Sequence, residues 1–215
     1  MAQLIFSEIK DKYSDYKKYK PWLRDNSYPD FCGYSWVIEQ TSLTIDHYKP
    51  REHFPELEAK SKNLILCTHG CNSSKNDYHP DAKNRRTYKE YNYKIFNYRE
   101  EDIGEYVQVE EDGTLIYSTV SCKERFYFNQ KVFKFNQPHY KEVRKEYLMF
   151  LKALERLYKK YKESMREKML VDLNEMIEYC SRRYIFYKLL NIKIPKQIEK
   201  LLTNKIKATC SFRTI

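Results

Sequence analysis

Four glycines and seven prolines are spread through 215 residues, and they cluster nowhere into a flexible or stiff linker. Parts joined without such a linker are expected to pack tightly against each other. No internal repeat is found. No apolar run approaches the roughly 20 residues that a membrane-spanning helix needs. The opening Met1-Ala2-Gln3-Leu4-Ile5-Phe6 meets Glu8 and Lys10 almost at once, so no secretory signal is expected. Cys122, Cys180 and Cys210 show no pairing pattern and read as ordinary thiols. The expected compartment is therefore the cytoplasm, with no membrane partner.

Aromatic residues and positive charge are abundant. Hydrophobic residues make up 41% of the chain and aromatics 16%, so a packed core is expected despite a mean hydropathy of −0.84. This length suits one domain or two small ones. The net charge of +10 favours polyanionic partners. An acidic stretch runs through Glu100-Glu101-Asp102, Glu105 and Glu110-Glu111-Asp112. Basic residues crowd the C-terminal half, at Lys159-Lys160, Lys162, Arg166, Lys168 and Arg182-Arg183. Any single run is best read as a solvated helix face, but the asymmetry suits a phosphate backbone lying along one side.

Periodicity predicts an α+β chain with a mainly helical body. Residues 6 to 19 suggest a short charged helix ending before Pro21. Tyr106 to Val109 and Thr114 to Tyr117 flank Asp112-Gly113 as a hairpin. Ser121 and Glu124 match a capping box opening a helix toward Phe133. From Pro138, Tyr140, Val143, Tyr147, Phe150, Leu154, Leu157 and Tyr161 recur in steps of three and four. That spacing marks one helix stripe about 36 Å long. Leu170, Leu173, Ile177, Cys180, Tyr184 and Tyr187 predict a second helix, and a last one runs from Lys196 to Ile206. The long stripe is expected to pack within the chain, with docking of another chain as the alternative. Four segments follow: an N-terminal helical segment (1–24), a site-bearing core (25–85), an acidic linker with the hairpin (86–120) and a helical C-terminal region (121–215).

The core segment carries the chemistry. Leu43, Ile45 and His47 alternate with Thr44 and Asp46 as a strand would, and Lys49-Pro50 stops it. Asn63 to Thr68 is a short apolar run, His69-Gly70 breaks it, and Cys71-Asn72-Ser73-Ser74 suits a helix start. Strand, loop, strand and helix make a ββα unit. Asp46 and the amide oxygen of Asn72 are hard oxygen donors for a divalent cation. His47 titrates near neutrality and can take a proton from water. Asn63 can bond the backbone around His47 and hold the ring. Lys75, one turn beyond Asn72, is placed to neutralise a phosphate.

The pairing of Asp46-His47, Asn63-Leu64 and Cys71-Asn72-x-x-Lys75 resembles the HNH, or ββα-metal, nuclease family in its His-Asn-Asn variant, over residues 32 to 80. The resemblance implies His47 as general base, Asn63 as its orienting residue, and Asp46 with Asn72 as ligands of a catalytic magnesium or manganese. A narrower resemblance adds Cys32-Gly33-Tyr34-Ser35, Phe54-Pro55, Phe135-Asn136-Gln137-Pro138-His139-Tyr140 and Arg144. It is to the PtuB-type HNH proteins of Septu and retron antiphage modules. It implies a bacterial cytoplasmic nuclease working with a PtuA-like ABC-type ATPase, within a larger retron complex in some systems. DNA is the favoured substrate, with RNA, tRNA included, as the alternative. The rival reading is a catalytically silent nucleic-acid-binding or zinc-stabilised adaptor subunit.

Many HNH domains hold a structural zinc with two Cys-x-x-Cys knuckles. Here Ser35 stands where a second cysteine would follow Cys32, and three residues separate Cys67 from Cys71. Serine is a poor zinc ligand. Cys32, Cys67 and Cys71 with His69 could still make a Cys3His site, but free, buried cysteines are the favoured reading.

Overall fold

The structure, a computed structural model, describes residues 13–26, 31–38, 43–84, 86–164 and 167–211. Among the described residues it mixes helix and strand, with two separate two-stranded antiparallel sheets, several helices and an irregular stretch over 76–102. Among the described residues no helix is long and apolar enough to cross a membrane.

β1 (Thr44–His47) pairs with β2 (Leu64–Cys67), Asp46 opposite Ile65 and His47 opposite Leu64. All four β2 residues are buried, as expected for a strand covered on both faces. α2 (His69–Lys75) follows directly and packs on β1. Its start differs from the expected one. Thr68, in extended conformation, accepts from the Cys71 amide at 3.2 Å, so the cap lies four residues before Asn72. His69-Gly70 is thus the first turn and breaks nothing. Asn76, at φ 50°, ends the helix.

Half of the helix expected over residues 6–19, residues 6–12, lies outside the described residues. α1 (Tyr19–Asn26) instead runs through Pro21, which falls in its first turn, where a missing N–H is tolerated. The hairpin is present as β3 (Val107–Val109) and β4 (Leu115–Tyr117). Gly113 donates to Glu110 O at 2.9 Å and sits at φ 84°, so the three-residue loop closes by a left-handed glycine. α3 (Lys123–Phe133) lacks the expected capping box. Ser121 belongs to a preceding 3-10 turn, and its hydroxyl bonds Thr119 instead.

α4 (Pro138–Ser164) matches the long stripe and opens on proline at a position needing no donor. The single second helix expected as far as Tyr187 is broken into α5 (Glu167–Ser181) and α6 (Tyr184–Leu189). Ile185, Phe186, Tyr187 and Leu189 are all buried, a pattern too wide for one stripe on a continuing surface helix, so the chain turns at Arg182-Arg183. α7 (Lys196–Ser211) closes the helical layer against α5.

One hydrophobic cluster runs from Tyr19 to Leu202 and crosses every expected segment boundary. Aromatic rings join its halves. Trp36 packs on Phe96 and Phe135, and Tyr34 stacks on Phe133 at 4.6 Å. The Tyr147 hydroxyl of α4 accepts from Ile38 N, while its own carbonyl accepts from Tyr187. The acidic stretch is docked as well: Asp112 meets Lys141, Glu111 meets Lys152, and Glu101 meets Arg125.

Candidate active site

β1 sends Thr44 and Asp46 to the side covered by α2, and His47 to the other. Asn72 Nδ2 donates to Thr44 Oγ1 at 3.3 Å and to Ile45 O at 3.4 Å. One turn on, Lys75 Nζ lies 3.0 Å from Asp46 Oδ2 and donates to His47 O at 2.7 Å. Tyr34 Oη donates to the same Asp46 Oδ2 at 2.5 Å. Both contacts use Oδ2. Among the described residues nothing donates to Asp46 Oδ1 or to Asn72 Oδ1, which leaves one carboxylate oxygen on β1 and one amide oxygen on the helix packed against it uncommitted.

His47 ends β1. Its Nε2 is 2.9 Å from Glu58 O, and because a carbonyl only accepts, that nitrogen carries the hydrogen and Nδ1 keeps the lone pair. The Tyr16 ring meets the imidazole edge-to-face at 4.7 Å. Burial pushes the imidazole pKa below its ordinary value, and this outweighs the Glu58 carbonyl and the Asp46 carboxylate, which act the other way. The ring is therefore neutral at neutral pH, the form a general base needs.

Asn63 clamps the loop between the strands. Its Oδ1 accepts from Lys49 N at 2.7 Å, and its Nδ2 donates to Lys49 O and Leu57 O at 3.0 and 3.2 Å. Leu57 adjoins Glu58, so these bonds fix the carbonyl that holds His47. Arg99 steadies the strand's other flank by donating to Ser61 O and Leu64 O.

Lys75 takes a different place from the one expected. It is 0% exposed and is spent inside the protein on Asp46 and His47 O, so it presents no charge to a phosphate. Strand alternation and α2 together turn it inward. Cys32, Cys67 and Cys71 are all buried. Burial pushes the Cys32 thiol up, but hydrogen bonds with Cys71, Ser35 and Thr68 outweigh it and bring it down to about 6. The hydrogen bond with Cys32 raises Cys71, and burial raises Cys67. His69 stands apart from them: it is exposed, with Nε2 3.5 Å from Ser73 Oγ. Among the described residues no three His, Cys, Asp or Glu side chains are grouped to hold a metal.

Magnesium is commonly held by one or two carboxylates and keeps several waters; Asp46 Oδ1 and Asn72 Oδ1 are the oxygens of this strand and helix that could serve such an ion.

Tyr34, Tyr16 and the Glu58 carbonyl were not singled out in the sequence. Tyr34 is carried to Asp46 because Gly33 N donates to Leu66 O at 2.8 Å, laying the Cys32–Trp36 turn along β2. A side chain at Gly33 would collide with Tyr98 and Ile65. The close spacing of Cys32-Gly33-Tyr34 was the available signal, but nothing in it names Asp46 as partner. Compared with known proteins, the chain matches no family model, no curated protein and no solved structure.

Proposed function

We propose that the chain is a metal-dependent endonuclease of the HNH type that hydrolyses nucleic-acid phosphodiester bonds. One observation carries the reading: a neutral, buried imidazole at a strand end, held through Nε2 by a carbonyl that Asn63 fixes in turn, beside a helix-covered strand with two free oxygen donors. In this reading His47 Nδ1 accepts a proton from water, whose oxygen forms a bond to phosphorus. The bond from phosphorus to the departing nucleotide oxygen breaks, and that oxygen leaves with a proton from solvent. Asn63 and Glu58 keep the ring aimed. Asp46 and Asn72 would hold magnesium or manganese, which stabilises the charge developing on the phosphate and the leaving oxygen. Basic residues of the C-terminal helices would grip the backbone without reading its sequence. DNA is the favoured substrate and RNA, tRNA included, the alternative. The sequence resemblance supports an antiphage role in the bacterial cytoplasm beside a PtuA-like ABC-type ATPase.

A second reading, a silent nucleic-acid-binding subunit, is favoured by one observation: the Lys75 ammonium already neutralises Asp46. Incubating the protein with mixed DNA and RNA and added Mg2+ or Mn2+, with and without the ATPase, separates the two. Cleavage by the wild type that disappears in His47→Ala supports the nuclease. Binding without cleavage in every condition supports the silent subunit.

A further inference from the structure

Lys75 is among the largest wholly enclosed side chains, and its ammonium meets two parts of the same strand end. It donates to the His47 carbonyl at 2.7 Å and lies 3.0 Å from Asp46 Oδ2, where Tyr34 also donates. An ammonium buried this completely is tolerated only with a paired charge and good hydrogen bonds. Its partner here is Asp46, whose Oδ1 accepts from no donor among the described residues.

We propose that Lys75 is the resident counter-cation of Asp46, a positioning residue that keeps the strand end assembled without metal and keeps divalent-cation binding weak by sharing the carboxylate. This rests on the reading of Asp46 as a metal ligand. The argument is electrostatic. Without a positive partner, Asp46 would be a buried carboxylate held by the Tyr34 hydroxyl alone, and the strand end bearing His47 would lose both its salt bridge and the donor to its carbonyl. With the ammonium in place, an incoming cation must approach a carboxylate already half neutralised and meets a like charge a few ångströms away. The attraction that remains is that of Oδ1 and the Asn72 amide. A site built this way is folded at rest and loads only when divalent cation is plentiful, or when a bound phosphate adds negative charge.

The test is the thermal midpoint of the full-length protein titrated with MnCl2, for the wild type, Lys75→Met, Lys75→Gln and Asp46→Asn. Methionine keeps most of the unbranched apolar stem and glutamine keeps a donor, so the two neutral variants separate charge from packing. Both should melt lower than the wild type without metal. Both should also reach half-maximal stabilisation at a Mn2+ concentration lower by about tenfold, since a nearby like charge has been removed. A lysine with a merely structural role would lower the midpoint and leave the Mn2+ dependence where it was. Unchanged or weaker Mn2+ dependence in both neutral variants, with stabilisation lost in Asp46→Asn, would overturn the inference and leave the metal reading standing. A wild type that Mn2+ does not stabilise, and that Asp46→Asn resembles, would remove the metal reading and this inference with it.

Discussion

His47 is held by three neighbours of different kinds: the Glu58 carbonyl at Nε2, the Tyr16 ring against its face, and Lys75 on its backbone oxygen. Their joint effect is to orient it, while burial keeps it neutral. Because burial places its pKa below the ordinary 6.5, the basic form persists to lower pH than a free imidazole would allow. The acid limb of the pH–rate profile should therefore fall below pH 6.5. Tyr16→Ala lets water reach the ring and should move that limb back up, which single-turnover rates across pH 4.5–8 would show. Asn63→Ala removes three hydrogen bonds that fix the loop. It should cost about 2–4 kcal/mol of stability and lower activity, while the metal concentration at half-maximal activity stays near that of the wild type. A urea titration and a metal titration check the two halves. His79, between Tyr48 and Phe54, adds a pH dependence of its own. Burial brings its pKa down to about 4 against an ordinary 6.5, so the unfolded chain binds the proton more readily. Stability should be full above about pH 6.5 and decline as pH falls toward 4, visible as a falling thermal midpoint.

The hairpin of β3 and β4 shows what joins elements in a glycine-poor chain. Gly113 takes the left-handed conformation, and a side chain there would run into the backbone of Lys141 on α4. Its carbonyl accepts from Arg144 Nε at 2.8 Å, and the same guanidinium donates to Phe135 O and Asn136 Oδ1. One buried arginine thus ties hairpin, connecting segment and helix together. Gly113→Ala should destabilise the protein by about 1–3 kcal/mol from backbone strain alone, and by more from the collision. The urea midpoint should drop, with little change in the candidate site. Much of this element layer was legible in the sequence. The hairpin flanks, the α4 stripe and the α3 end were all read within a few residues, because period and turn residues are local signals. The break between α5 and α6 was not, since it depends on which neighbours bury Ile185 and Phe186.

Across the whole molecule, the α4 stripe faces inward. Tyr147, Leu151 and Leu154 are buried, and α5 covers them together with α7. Met149 on α4 and Leu170 and Val171 on α5, at 61%, 40% and 60% exposed, are the large apolar residues left outside on these helices among the described residues. The body is therefore core first, whatever else docks on it. Ending the chain at Ser164 would uncover Leu154 and delete Leu173, Ile177, Phe186, Tyr187, Ile198 and Leu202 from the shared cluster. The truncated protein should lose its cooperative transition and bind a hydrophobic dye, whereas the full chain should unfold in one step by near- and far-UV circular dichroism. Retention of a sharp transition by the truncated chain would show that the two halves fold separately.

The sequence by itself determined the ββα order, the helical body, the basic charge and the short list of candidate site residues. Alternation, capping residues and stripe spacing act over a few residues, so they can be read without neighbours. Tertiary structure alone decided that Lys75 turns inward onto Asp46, that Tyr34 completes that pair from twelve residues away, that His69 stays apart from the three cysteines, and that Glu58 offers its carbonyl to His47. Each depends on which elements lie against which. The energy of a buried charge or an imidazole comes from its enclosure and its partners, and chain spacing records neither.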